Sequence, residues 1–180
     1  GSGQPSTIMT TLNNWYNSKL ANYEVNYIDT EAGFCSDRNM ASGSNFNSSG
    51  IIYYAPYDRS RSDGEASLQC HADDILSKDN EKLQNPIGLV TIDEAMLTGM
   101  KSGTLNTGSY LYTGQNYWTM SPQCFTSSSA QVFVVRSDGN LVEFGVTSTL
   151  PDVRPVINLR NDAPITGSGT NNDPFKVSGA

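Results

Sequence analysis

A chain of 180 residues with 11 Lys and Arg against 18 Asp and Glu, net charge -7, is long enough to bury a core of its own. Hydrophobic residues at 37% and charged residues at 16% are both low, and the Ser, Thr, Asn and Gly that make up the balance suit a loop-rich, β-containing extracellular domain better than a helical cytosolic enzyme. The acidic balance argues against nucleic acid and against docking on anionic lipid, since phosphate contact needs clustered Lys and Arg, and no apolar run approaches the roughly 18–20 residues that cross a bilayer.

Gly1-Ser2-Gly3 reads as a cloning remnant, which sets residues 1–4 apart from one expected domain over residues 5–180. Ser6 caps a predicted helix in which Ile8, Leu12, Trp15, Lys19 and Tyr23 recur at three- and four-residue steps. About four to five turns are expected, with the Trp15 face turned inward. Residues 33–50 read as loop, residues 51–57 as a tyrosine-rich strand, and residues 58–64 as a polar turn. A second helix is predicted from His71 or Ala72 through Ile75 and Leu76. Residues 87–91 follow Pro86 as a strand. Thr91 then opens a capping box with Glu94, and Gly99 ends that helix.

Beyond a Gly- and Thr-rich connection, residues 117–159 form the most informative stretch. An aromatic strand starts at Tyr117-Trp118. Residues 131–136 and 141–146 flank Ser137-Asp138-Gly139-Asn140, where Asp-Gly signals a tight two-residue turn. Residues 154–159 are the last long predicted strand. The tail reads as two short strand pieces around a Gly-rich turn. Trp118, Val132, Val134 and Leu141 are expected to face the core, with Phe133 and Phe144 on the other phase.

No residue set makes a catalytic centre. His71 is the single histidine, and its neighbour Cys70 cannot meet it as a nucleophile should. Ser121 lacks a Gly-x-Ser-x-Gly frame. Glu94 is spent on the cap, and the pairs Asp73-Asp74 and Asp93-Glu94 diverge on a helix. A cofactor is not expected. Asn171-Asn172-Asp173 and Asp138-Gly139-Asn140 offer oxygens to a structural calcium, but neither has EF-hand spacing and turn geometry explains them better. The three cysteines include no Cys-x-x-Cys pair, and an odd count leaves one thiol over.

Recognition is the remaining class, and the many Tyr and Ser residues suit an adaptable contact surface. The segments Asn85-Pro-Ile-Gly-Leu-Val-Thr-Ile-Asp-Glu-Ala95, Tyr110-Leu-Tyr-Thr-Gly114, Tyr117-Trp-Thr-Met-Ser-Pro122, Arg136-Ser-Asp-Gly-Asn-Leu141 and Val153-Arg-Pro-Val-Ile-Asn-Leu159 resemble a family of surface domains from Gram-positive gut bacteria and their phages. Trp15-Tyr16, Gly33-Phe-Cys-Ser-Asp-Arg38 and the region of Cys70 extend the resemblance over nearly the whole chain. It implies an α+β, C-type-lectin-like fold of formylglycine-generating-enzyme-type architecture, often preceded by a hydrophobic or pilin-like helix. It also supports a Cys35–Cys70 disulfide with Cys124 free, three reduced thiols being the alternative. The catalytic cysteines of the formylglycine-generating enzymes are missing, so their activity is not carried over.

Variable proteins of diversity-generating retroelements share this fold type and carry their mutated residues at its C-terminal end. Residues 123–129 and 142–152 lie at the matching end here, although Val142-Glu-Phe-Gly145 and Thr147-Ser-Thr-Leu150 replace the Asn-rich stretches of relatives. The resemblance thus implies a receptor- or adhesin-like module on a cell or virion surface, with a protein or glycan ligand. Its expected contact residues are Phe125, Phe133, Arg136, Glu143, Phe144, Thr147, Thr149 and Asp152. A pilin-like or cell-wall assembly subunit is the alternative.

Overall fold

The structure is a computed structural model and describes residues 6–46, 50–61, 64–170 and 172–178. Helices and antiparallel strands are mixed, so the fold is α+β. In chain order the elements are α1 (Thr7–Lys19), α2 (Glu24–Tyr27), β1 (Phe34–Cys35), β2 (Ile52–Tyr53), α3 (Ala55–Ser60), β3 (Ile75–Leu76), α4 (Ile92–Leu97), β4 (Tyr117–Phe125), β5 (Ala130–Val135), β6 (Leu141–Gly145), β7 (Ile165–Thr166) and β8 (Lys176–Val177). The chain divides into two compact units. One comprises Gly1–Phe34, Leu76–Gly88 and Pro155–Ala180, the other Cys35–Ile75 and Leu89–Arg154.

In the first unit Ser6 caps α1, its Oγ accepting from the Met9 N–H at 3.2 Å. Leu12 and Tyr16, one turn apart, are the buried side chains of this helix. Trp15, expected inward, is 39% exposed. It sits one position off the Leu12–Tyr16 stripe, and the helix ends sooner than its periodicity implies. Tyr16 donates from Oη to Glu24 Oε2 at 2.8 Å, and Lys78 pairs with the other carboxylate oxygen. Burial alone would raise the Glu24 carboxyl, but the hydrogen bonds from Lys78 and Tyr16 outweigh it and hold it low.

The strands expected over residues 87–91 and 154–159 reduce to isolated bridges within this unit. Gly88 pairs with Val156, and Leu159 with Ile28. Pro155 has no N–H to give a ladder, which explains the interruption. The tail folds as read: β7 and β8 pair antiparallel around a glycine turn.

The second unit is built on a four-stranded antiparallel sheet in the order β2-β4-β5-β6. Trp118, Val134 and Val142 share one face, and Tyr117, Val135 and Leu141 the other. The capping box at Thr91 is present as read: Thr91 Oγ1 accepts from the Glu94 N–H, and Glu94 Oε2 accepts from the Thr91 N–H at 2.7 Å. Gly99 follows α4 in a left-handed conformation.

The predicted strand over residues 51–57 stops at Tyr53 and gives way to α3. Pro56 lies in the first turn of that helix, where its missing N–H costs nothing. The helix expected from His71 is only a 3-10 turn over Ala72–Asp74, followed by β3. The Asp74 side chain is drawn elsewhere. It accepts from the Arg38 backbone N–H at 3.0 Å and from Arg38 Nε at 2.8 Å.

Arg59 joins α3 to α4. It binds both Asp93 oxygens, at 2.6 and 2.8 Å, and also Asp37. Burial alone would lower the Arg59 guanidinium pKa; the two carboxylates reverse this and raise it. Cys35 and Cys70 form a disulfide within the same unit, and Cys124 is free and buried. A disulfide indicates folding in an oxidising compartment. Among the described residues no helix is long and apolar enough to cross a membrane.

The β5–β6 hairpin forms as predicted, but its turn is shifted. The Gly139 N–H donates to the Arg136 carbonyl at 2.9 Å, so Ser137 and Asp138 are the central residues. Gly139 has φ +78°, and a Cβ there would lie 2.0 Å from the Asn106 carbonyl oxygen. Only glycine fits that position.

Candidate functional site

An open cleft of about 400 Å³ lies on the Phe133 face of the four-stranded sheet. Each strand or loop around it places its residue for a local reason. On β5 and β6 the register sets Phe133 directly opposite Glu143, so both side chains project from the same face. Phe133 is 2% exposed and contributes an apolar surface. Glu143 is exposed, and among the described residues it has no hydrogen bond or ion pair.

Gln123 owes its place to an irregular β4. Pro122 lies opposite Val132 and Cys124 opposite Gln131, so Gln123 is the extra residue of a β-bulge. Pro122 cannot donate to a ladder, and bulges are where strands tolerate proline. The bulge gives Gln123 to the cleft wall. Gln123 is 6% exposed, and its Oε1 is a buried side-chain oxygen without a hydrogen-bond partner among the described residues.

Tyr57 and Ser60 come from α3, Arg61 from the residue after it, and Ser102 and Gly103 from the loop after α4. Tyr57 stacks on Tyr53, with ring centroids 4.0 Å apart. Arg61 donates from Nη1 to Tyr57 Oη at 2.7 Å and lies over the same ring, 5.4 Å from its centroid. Ser60 Oγ donates to the Tyr57 carbonyl at 2.8 Å, and the Gly103 N–H to Asn140 Oδ1 at 2.8 Å.

Two neighbouring groups register the carboxylate. Burial pushes the Cys124 thiol up, and the negative charge of Glu143 adds to the shift. The Tyr53 phenol is raised by burial first, then by the fields of Tyr57, Cys124 and Glu143. The Cys124 thiol itself is occupied, its Sγ donating to Gln131 Oε1 at 3.1 Å.

Of the eight contact residues expected from sequence, the cleft brings together two, Phe133 and Glu143. Phe144 is half-buried opposite Val132, on the other face of the sheet. Phe125 is exposed at the end of β4. Arg136 is exposed just beyond β5 and pairs with Asp138 at 2.6 Å. Thr147 and Thr149 are exposed after β6. Asp152 is exposed, and its backbone is bridged to Tyr117.

Sequence reasoning missed Tyr57, Ser60, Arg61, Ser102 and Gly103, and it placed Gln123 in the 123–129 segment at the binding end without naming it as a contact residue. A proline inside an otherwise regular strand was the available signal for Gln123. The oxygens weighed for calcium hold turns instead: Asp138 Oδ1 accepts from the Asn140 N–H, and Asp173 Oδ2 from the Ser168 N–H. Asn171 lies outside the described residues. Among the described residues no group of His, Cys, Asp and Glu is placed to hold a metal ion.

No family model, curated protein sequence or solved structure matches the chain.

Proposed function

We propose that this protein is a receptor- or adhesin-like binding module of C-type-lectin-like fold, working extracellularly on a cell or virion surface without a catalytic step. The observation that carries the reading is Gln123 in the wall of an open cleft, with a buried Oε1 that has no hydrogen-bond partner among the described residues. Buried polar atoms are nearly always satisfied, and an exception in a concavity suits a partner that is not yet bound. The disulfide and the polar composition support an oxidising, extracellular setting. Phe125, Arg136, Thr147, Thr149 and Asp152 remain proposed contact residues outside the cleft, exposed positions where diversification would retune the contact without touching the core.

Blocking the mouth tests this. Ser102 is exposed at the cleft, so Ser102→Trp adds bulk there while sparing the core. Purified wild type and variant are compared on arrays of cell-surface proteins and glycans and on whole bacterial cells. The proposal expects an unchanged thermal midpoint and lost binding. Undiminished binding by S102W contradicts the site. Concentration-dependent polymerisation without any ligand points instead to a pilin-like assembly subunit.

A further inference from the structure

The four-stranded sheet carries a row in which a nucleophile faces an acyl group. Tyr53, Cys124, Gln131 and Gly145 stand opposite one another on β2, β4, β5 and β6. Cys124 is buried and Gln131 half-buried. Cys124 Sγ lies 3.1 Å from Gln131 Oε1, so the amide carbon bonded to that oxygen is at most about 4.3 Å from the sulfur. A torsional adjustment of either side chain brings them to the roughly 3–3.5 Å from which bonds form. Facing β-carbons on neighbouring strands are about 4.5–5.5 Å apart, a span that Sγ, Cδ and Cγ in series can fill without moving the backbone. Burial keeps the thiol protonated, so the step needs a base. Glu143 is the diagonal neighbour of Gln131 across β5 and β6, and its charge reaches the thiol. Gly145 has no side chain to cover Gln131 from the β6 side.

We propose that Cys124 and Gln131 condense to an internal thioester. Sγ bonds to Cδ of Gln131, the Cδ–Nε2 bond breaks, and the thiol proton leaves with that nitrogen as ammonia. No electrons change hands, so no oxidant is required. Glu143 relays the proton from sulfur to nitrogen. The product is an activated acyl group in the sheet. A primary amine converts it to a stable bond: the amine nitrogen bonds to Cδ, Sγ leaves as the thiol, and Gln131 ends as a substituted amide. Resting on the binding reading above, this step would hold an amine-bearing surface partner covalently.

The test is intact-mass spectrometry of the whole chain, purified in amine-free phosphate buffer. The chain should be lighter than its disulfide-bonded sequence mass by one ammonia, with the Cys124 and Gln131 peptides joined. Methylamine should add once and release a thiol that iodoacetamide labels at Cys124. Cys124→Ala and Gln131→Glu should each keep the full sequence mass, and Glu143→Gln should cross-link about a hundredfold more slowly. A full-mass chain whose Cys124 is alkylated after unfolding overturns the thioester, and so does a loss of ammonia that persists in C124A. Cross-linking of E143Q at the wild-type rate overturns Glu143 as the base. A cross-linked chain that methylamine leaves untouched makes the bond a structural staple and overturns covalent capture. A full-mass chain that still binds the array or cell ligand reversibly loses the thioester and keeps the binding module.

Discussion

Phe133 and Glu143 stand opposite each other on neighbouring strands yet do different jobs. Phe133 is closed off from solvent while contributing to the cleft wall. Truncating it to alanine removes a packed ring and should cost about 3–5 kcal/mol. Glu143→Gln touches an exposed carboxylate without a partner among the described residues and should leave stability within about 0.5 kcal/mol. Chemical denaturation of the two variants checks this. A Phe133→Ala protein as stable as wild type would remove that ring from the core. At this scale local chemistry was easy to read. Ser6 and the Thr91–Glu94 pair act on their own next turn, so their roles follow from residues three positions away. Gln123 fell inside the 123–129 segment expected at the binding end, but its place in the cleft was not legible. Its direction depends on a bulge, and a bulge is fixed by pairing with a strand elsewhere in the sequence.

Elements show the same division. The β5–β6 hairpin was anticipated because its strands are adjacent and its turn chemistry lies between them. The helix α3 was misread as strand because Tyr53, Tyr54 and Tyr57 carry a β signal, while Pro56 in the first turn and Asp58 behind it were the countersigns. Tertiary bonds then hold α3 in place. Arg59 reaches Asp93 on α4 and Asp37 in the loop before β2, an arrangement linking residues too far apart in sequence to be inferred from spacing. Arg59→Met would leave two largely buried carboxylates facing each other without their cation. A loss of about 3–5 kcal/mol is expected in urea unfolding. A loss below about 1 kcal/mol would reduce the triad to a surface ion pair. Because α3 supplies Tyr57 and Ser60 to the cleft, the same variant should also weaken whatever the cleft binds.

For the molecule as a whole, the disulfide matches a protein that folds in an oxidising compartment. The α+β class and the disulfide were within reach of the sequence; the cleft was not. It is assembled from α3, the residue after it, the loop after α4 and three strands, and of its residues only Phe133 and Glu143 were named as contacts in advance. On the proposed reading, the free protein gives up some stability at Gln123, whose buried Oε1 has no hydrogen-bond partner among the described residues. The thermal midpoint of Gln123→Met is therefore the most direct measurement. Methionine keeps the length of the side chain and removes the orphan oxygen, relieving about 1–3 kcal/mol. The midpoint should rise by about 2–12 °C while ligand binding falls. A midpoint that drops by a similar amount would mean that Gln123 is a structural hydrogen-bonding residue, and would contradict the cleft as a vacant binding site.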